Sequence, residues 1–400
     1  MIALAEIIER FEPAFFAHYR NRLLPSQHQA LAAMKRCRTR FAPRMLAQCT
    51  ACGDERSVPH SCGHRSCPHC QHHEGQVWLE RQLRSLVPAT NFLITFTLPA
   101  ELRGLALCHQ RVIYALLMQC AWETLATFNR NDQKLGGTAG AVGVLHTHNR
   151  RLDFHPHVHM VMPAAALDAK RRLWRTKSRR TRSRAGKTGA TADTATPSGT
   201  PTGGYLFNHK ALAKVFRAKL LDAIESAGLT VPTTLPPQWV VDCRCVGDGS
   251  KALLYLGRYL YRGVVQEADI LRCEDGFVTF RYRDAKTGKA GTRTLAGADF
   301  LWLVLQHVLP KGLRRSRNFG FLHPNSTGDI RLLQVLHLRA APPAGAGASP
   351  SRPPWRCACG QPMRVLRRRI PTPQSDGGPA TECRPDVPDK PDTSRSHTMH

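Results

Sequence analysis

Acidic side chains are scarce in this chain of 400 residues, which has 29 Asp and Glu against 57 Lys and Arg and a formal net charge of +28. A chain this basic with 42% hydrophobic residues is expected to fold and to bind a polyanion, and nucleic acid is the first candidate. Its length allows two or three domains with cores of their own.

Three other features are absent from the sequence. No apolar run is long enough to cross a bilayer, so no membrane partner is expected. The residues from Met1 to Glu6 lack the basic and apolar regions of a signal peptide, which predicts a cytoplasmic protein. No P-loop motif is present, so no nucleotide cofactor is expected.

Fourteen cysteines cluster at short spacing, which favours metal thiolates over disulfides in a chain without an export signal. Two CxxC pairs separated by fourteen residues predict one closed, structural Zn²⁺ site. Its predicted ligands are Cys49, Cys52, Cys67 and Cys70. Cys62, His64 and His69 are spare donors, and one of them could replace a cysteine.

The carboxyl-terminal region predicts no second zinc site, because Cys357 and Cys359 are separated by one residue and Cys383 is remote. Residues 326–400 are rich in Pro and Gly beyond Ala340, which predicts a disordered tail. Residues 168–204 are basic and then rich in small residues. That composition predicts a flexible insertion that could hold phosphates.

Three histidines alternate along an apolar stretch, at positions 155, 157 and 159. Because side chains alternate faces along a strand, all three point the same way, about 7 Å apart. His157 and His159 can therefore converge on one metal ion. A preceding strand over residues 138–148 would pair with them as a hairpin and bring His146 close as the third ligand.

Other donors near the hairpin leave the third ligand open. His155 and Asp153 are the alternatives to His146, and His148 is a weaker one. Imidazole nitrogens suit Mn²⁺, whereas Mg²⁺ is the abundant hard ion of phosphate chemistry, so the choice between the two ions also stays open.

A helix predicted over residues 251–262 places Tyr255 and Tyr259 on one face, because residues four apart are neighbours on a helix. Arg258 and Arg262 flank the pair, as expected beside phosphate. A tyrosine hydroxyl next to a metal site could attack a phosphodiester. A further basic segment, residues 307–320, contains predicted DNA contacts at Lys311, Arg314 and Arg315.

The motif His157-Val158-His159 resembles the signature of HUH endonucleases, which cut and rejoin single-stranded DNA through tyrosine. With His146-Thr147, Leu152 and the downstream tyrosine pair, the chain is similar to the rolling-circle transposases of the insertion sequence ninety-one family. The cysteine module resembles that family's amino-terminal zinc module.

The resemblance implies an α+β fold with an antiparallel sheet covered by helices, preceded by a helical and zinc-ribbon-like module. It implies a zinc and DNA-binding domain over residues 1–85 and a catalytic domain over residues 86–325. Tyr255 and Tyr259 would be the nucleophiles, with Tyr261 as a rival partner of Tyr259. The expected partner is single-stranded DNA at element ends and target, in the bacterial nucleoid.

Two alternatives accompany this interpretation. A plasmid relaxase or replication initiator would use the same chemistry. A zinc-containing DNA-binding protein, such as a decayed transposase, would carry the same histidines and tyrosines as core residues without cutting DNA.

Overall fold

The structure is a computed structural model. It describes residues 2–168, 173–177, 205–261, 263–284, 287–336 and 355–371. The helices in these ranges are α1 (Leu4–Tyr19), α2 (Pro25–Arg36), α3 (His72–Arg84), α4 (Arg103–Cys108), α5 (Gln110–Asn131), α6 (His209–Ser226), α7 (Ser250–Tyr261), α8 (Gly297–Gln306) and α9 (Thr327–Leu336). None of them is long and apolar enough to cross a membrane.

The strands in the same ranges form antiparallel ladders. They are β1 (Arg44–Cys49), β2 (Glu55–Pro59), β3 (Asn91–Thr97), β4 (Gly140–His148), β5 (Phe154–Pro163), β6 (Ala165–Asp168), β7 (Leu173–Thr176), β8 (Val241–Cys245), β9 (Ile270–Glu274), β10 (Phe277–Arg283), β11 (Ala290–Ala296), β12 (Ser316–Gly320) and β13 (Met363–Ile370). The predicted α+β class, with antiparallel sheets and covering helices, is confirmed.

The central sheet has five strands in the order β12-β4-β5-β3-β8. The strand β3 begins after Pro88 and ends before Pro99, as expected of residues that cannot donate to a ladder. Its alternate side chains Phe92, Ile94 and Phe96 are buried against α5 and α6 in the largest apolar core. The histidine strand β5 therefore lies in the middle of a sheet with one face covered by helices.

The opposite face of this sheet carries α3 and α7. Val142, Val144 and Val161 of the sheet share a second core with Trp78 of α3 and Leu256 of α7. This packing presses the tyrosine helix onto the strands that carry the histidines. It is the part of the fold that builds the site.

The amino-terminal helices pack against the carboxyl-terminal half of the chain. Ile7, Ile8 and Phe15 of α1 are fully buried and belong to one core with Phe280 of β10 and Phe300 of α8. Gln27 of α2 donates from its side-chain Nε2 to the carbonyl oxygen of Leu305, 2.9 Å away. The division at residue 85 stays a prediction.

The chain beyond residue 300 adds an edge strand to each of two sheets. In the basic segment after α8, β12 pairs with β4 along the edge of the central sheet. The prediction of a disordered tail is wrong for the described residues 355–371, because β13 pairs with β1 from Arg44↔Ile370 to Cys49↔Met363. The predicted flexible insertion at residues 168–204 contains the strand β7. Its residues 169–172 and 178–204 lie outside the described residues.

Candidate active site and metal centres

Strand register brings His146, His157 and His159 together. His146 of β4 lies opposite His157 of β5, and Val144 lies opposite His159. The ring centroids of the three histidines are 4.4 to 5.1 Å apart, and one nitrogen of each lies within 4.8 Å of the others. The hairpin predicted from sequence thus produces the predicted cluster.

Hydrogen bonds orient these rings from behind. Nδ1 of His157 lies 2.7 Å from the carbonyl oxygen of His155 and donates to it. Nδ1 of His159 lies 2.8 Å from Oγ1 of Thr95 on the neighbouring strand. Such partners on one nitrogen leave the other available to a metal and set its direction. Nε2 of His146 is buried and has no hydrogen-bond partner among the described residues, as expected of a nitrogen that awaits a ligand.

Burial keeps the three imidazoles uncharged. It lowers the pKa of His157 to about 4 and that of His159 to about 3. Burial, together with the neighbouring histidines, also holds the pKa of His146 well below its usual range. Neutral imidazole is the form that binds metal, so the cluster can accept a cation throughout the neutral pH range.

The alternative third ligands have other partners. Nδ1 of His155 accepts a hydrogen bond from Nη2 of Arg103 at 2.7 Å. Asp153 pairs with Arg293 at 2.6 Å. The ring of His148 stacks on Tyr259. Three protein nitrogens leave coordination positions open, which is typical of catalytic rather than structural sites.

The two tyrosines of α7 differ in exposure. The ring of Tyr259 stacks on His146 with centroids 3.6 Å apart, and its hydroxyl donates to the carbonyl oxygen of His148 at 2.8 Å. Tyr255 is 45% exposed, and its ring lies 6.3 Å from His159 and 6.4 Å from His146. Both tyrosines therefore border the histidine cluster, and Tyr255 faces solvent.

Burial also acts on Tyr259, whose pKa it raises strongly, while the charge of Arg315 opposes the rise. Nη1 of Arg315 donates to the carbonyl oxygen of Leu260 at the end of α7, 3.0 Å away. Arg315 therefore provides positive charge next to the tyrosines, and its contact with phosphate stays a prediction. Arg258 is exposed on α7, and the predicted contact Arg262 lies outside the described residues.

The predicted set of four zinc ligands is wrong, because its two pairs belong to different clusters. The first cluster lies where α2 ends, and its Sγ atoms are 3.5 to 3.6 Å apart for the pairs measured. Its members are Cys37, Cys62, Cys67 and Cys70. The second cluster, here called the clasp cluster, joins the two ends of the described chain. Its members are Cys49, Cys52, Cys357 and Cys359.

The pairing differs from the prediction because β13 extends the sheet next to β1, which brings Cys357 and Cys359 to Cys49. Sequence spacing alone offered no sign of this contact. Of the spare donors, only Cys62 is a cluster member. Nδ1 of His64 accepts from the backbone of Ser66, and His69 pairs with Glu267 at 2.9 Å. Cys37 was missed because it stands outside any CxxC pair.

A cleft of about 1160 Å³ lies beside the tyrosine helix, between the cysteine module and the central sheet. Leu260 of α7 and the predicted contacts Arg314 and Arg315 line it. No acidic side chain is among its lining residues in the described part of the chain. The six arginines of the wall are Arg65, Arg81, Arg111, Arg314, Arg315 and Arg317. Lys311 stands at its edge, where its carbonyl oxygen accepts from Arg111.

Comparisons with known proteins agree with this combination of sites. Residues 140–328 match the family model described as "Putative transposase", and residues 7–98 match the one described as "Transposase zinc-binding domain". No solved structure matches the chain.

Two relatives carry the same kind of name. "Putative transposase y4qJ" of Sinorhizobium fredii is 28% identical over 342 residues, which cover 80% of each chain. "Transposase for insertion sequence element IS801" of Pseudomonas savastanoi is 26% identical over 299 residues, which cover 68% of this chain and 65% of the relative.

A histidine cluster under a tyrosine helix, an arginine-lined cleft and a matched zinc-binding domain together define a DNA-processing enzyme with structural zinc. The matched zinc-binding domain precedes the matched transposase region along the chain. The chain belongs to the insertion sequence ninety-one family of transposases.

Proposed function

We propose that this transposase nicks and rejoins single-stranded DNA by tyrosine transesterification at the histidine cluster. The observation that carries the proposal is the position of Tyr255 and Tyr259, whose rings lie within 6.4 Å of the ring of His146. Two hydroxyls next to three neutral imidazoles are the groups that a metal-assisted attack on a phosphodiester requires.

The three histidines would hold Mg²⁺ or Mn²⁺, since they supply unshared nitrogens on one face of the sheet. Such an ion would withdraw charge from a non-bridging phosphate oxygen and from the departing 3′ oxygen. The tyrosine oxygen forms a bond to phosphorus and gives its proton to solvent or a base, while the bond from phosphorus to the 3′ oxygen breaks and that oxygen takes up a proton. The products are a 5′-phosphotyrosine and a free 3′ hydroxyl.

Exposure assigns different roles to the two tyrosines. Tyr255 faces solvent, so a DNA strand can reach its hydroxyl without a change in the protein. The hydroxyl of Tyr259 is engaged by the carbonyl oxygen of His148, and burial raises its pKa. Tyr255 therefore attacks first, and Tyr259 acts after its hydrogen bond is released, at the second strand.

Covalent capture tests this assignment. A labelled single-stranded oligonucleotide from an element end is incubated with the protein and Mn²⁺ or Mg²⁺, and the label that migrates with denatured protein is measured. We expect an adduct in the wild type, none in Tyr255→Phe, and an adduct in Tyr259→Phe. Tyr205→Phe is the matched control, because Tyr205 is 61% exposed and outside the site.

Label in the Tyr255→Phe/Tyr259→Phe double variant would show that another residue is the nucleophile. If no label forms with either ion while gel-shift binding persists, the chain is a non-catalytic zinc-containing DNA-binding protein. A relaxase or replication initiator would give the same adduct, and it would be distinguished by a preference for transfer or replication origins over element ends.

The arginine-lined cleft supports single-stranded DNA as the partner. The six guanidinium groups that line the cleft supply positive charge for consecutive phosphates, and the cleft begins at the end of α7 that carries Tyr259. Trp78 and Phe319 also line its wall.

Salt dependence of binding tests the cleft. For single strands, the logarithm of the binding constant falls with the logarithm of salt by about 0.7 per phosphate contact. We expect that slope to decrease by about 0.7 in Arg81→Ala and again in Arg81→Ala/Arg317→Ala. Arg272→Ala on β9 is the control, since it pairs with Glu274 outside the cleft. Equal slopes in the wild type and the three variants would show that single-stranded DNA does not bind along this cleft.

A further inference from the structure

The clasp cluster has the geometry of a closed thiolate site. Sγ of Cys49 lies 3.5 Å from that of Cys359, and Sγ of Cys52 lies 3.6 Å from that of Cys357 and 3.7 Å from that of Cys359. Tetrahedral Zn²⁺ with bonds of about 2.3 Å places its sulfurs about 3.8 Å apart. A disulfide would need about 2.05 Å, so the four sulfurs surround a point rather than forming pairs.

Both turns that carry these cysteines are built like metal knuckles. The backbone amide of Ala51 donates to Sγ of Cys49 at 3.4 Å. Gly53 and Gly360 each directly follow the second cysteine of their pair, and both have positive φ, at 73° and 84°. Glycine adopts that conformation without strain, so each chain can turn away sharply and leave its sulfurs facing inward.

Besides its ladder with β1, β13 has little apolar packing to hold it in place. The local core of the β13-β1-β2 sheet consists of Ala47, Cys49, Cys357 and Met363, and a core of this size stabilises a sheet only weakly. Four arginines of β13 are exposed, and none of them forms an ion pair with a described residue. They are Arg364, Arg367, Arg368 and Arg369.

We propose that the clasp cluster binds a second structural Zn²⁺, which fastens residues 355–371 to the amino-terminal zinc module. The match to the zinc-binding domain ends at residue 98 and the match to the transposase model at residue 328, so neither includes Cys357 or Cys359. Zinc binding to a site that exists only in the folded chain contributes its free energy to folding. Zinc therefore supplies the stabilisation that the small core lacks.

Zinc content of the full chain tests the site directly. Protein purified with zinc and dialysed against metal-free buffer is digested, and its zinc is measured by mass spectrometry. We expect Cys357→Ser/Cys359→Ser to contain one zinc ion fewer per chain than the wild type. Cys108→Ser/Cys245→Ser is the matched control, since both cysteines lie outside the two cysteine clusters, and it should retain the zinc content of the wild type.

Hydrogen exchange separates loss of the site from loss of the fold. In the Cys357→Ser/Cys359→Ser variant, amides of β13 should lose their protection while those of β5 and α5 keep theirs. Equal zinc content in the wild type and the double variant would overturn the proposal. Unchanged β13 protection in a double variant that has lost one zinc ion would overturn the fastening role. None of these results depends on DNA cleavage.

Discussion

The histidine cluster and the clasp cluster bring their ligands together in different ways. His146, His157 and His159 are placed by the register of two strands inside a large sheet. Thr95 orients the ring of His159, and a backbone carbonyl orients that of His157. The cysteines of the clasp lie on short turns around a core of four residues.

The two regions differ in the source of the free energy that stabilises them. At the histidines, apolar packing of the sheet against α5 and α6 pre-organises the ligands, so an ion can leave without loss of structure. At the cysteines the proposed ion would itself hold the chain segments together. The first site is therefore suited to exchangeable catalytic ions and the second to a permanent structural ion.

The largest effects are expected from removal of one ligand from the histidine cluster or one from the first cysteine cluster. His157→Ala should lower the rate of adduct formation by roughly a thousandfold, because an ion that polarises phosphate contributes several kcal/mol to the transition state. Its zinc content and thermal unfolding midpoint should stay close to those of the wild type. These are measured by covalent capture, elemental analysis and calorimetry.

Cys67→Ser is the counterpart in the first cysteine cluster. Cys67 is buried in the core shared by α1 and α8, so this variant should lose zinc and unfold at lower temperature. If the unfolding temperature of His157→Ala fell as much as that of Cys67→Ser, the histidine cluster would be a structural site rather than a catalytic one.

An effect of intermediate size is expected when the hydrogen bond between Thr95 and His159 is removed. Thr95→Val removes the hydroxyl that orients the imidazole, and loss of such a partner weakens metal binding by about 10- to 100-fold. The measurement is Mn²⁺ affinity by the spectroscopic signal of free Mn²⁺. Thr97→Val, two residues along the same strand opposite His157, is the control and should bind Mn²⁺ nearly as tightly as the wild type. Equal Mn²⁺ affinities in Thr95→Val and Thr97→Val would show that the Thr95 hydroxyl does not support metal binding.

The smallest expected effect is that of pH on Mn²⁺ binding. A proton competes with the metal for imidazole, so affinity falls when the pH drops through the imidazole pKa. Burial lowers the pKa of His157 to about 4 and that of His159 to about 3, so affinity should change little between pH 7.5 and about 5.5. An exposed cluster with pKa values near 6.5 would lose about tenfold per imidazole by pH 5.5, and a loss that steep would contradict pre-organised, buried ligands.

Much of the histidine and tyrosine site could be predicted because its spacing is local. Alternation along β5 places His157 and His159 on one face, and a separation of four places Tyr255 and Tyr259 on one side of α7. The hairpin from β4 to β5 is short enough that its pairing partner was also evident. Thr95 was not predicted, since it lies 64 residues from His159 and a threonine in an apolar strand carries no signal of its own.

The residue types of both kinds of site, the helices and strands that carry the active site, and the basic character of the molecule all follow from local sequence. Which cysteines cluster together, which tyrosine is buried and which arginines line one cleft depend on the folded chain. Cys49 and Cys359 are 310 residues apart, and CxxC spacing does not specify which pairs will meet. That choice follows from the pairing of β13 with β1, which depends on the whole folded chain.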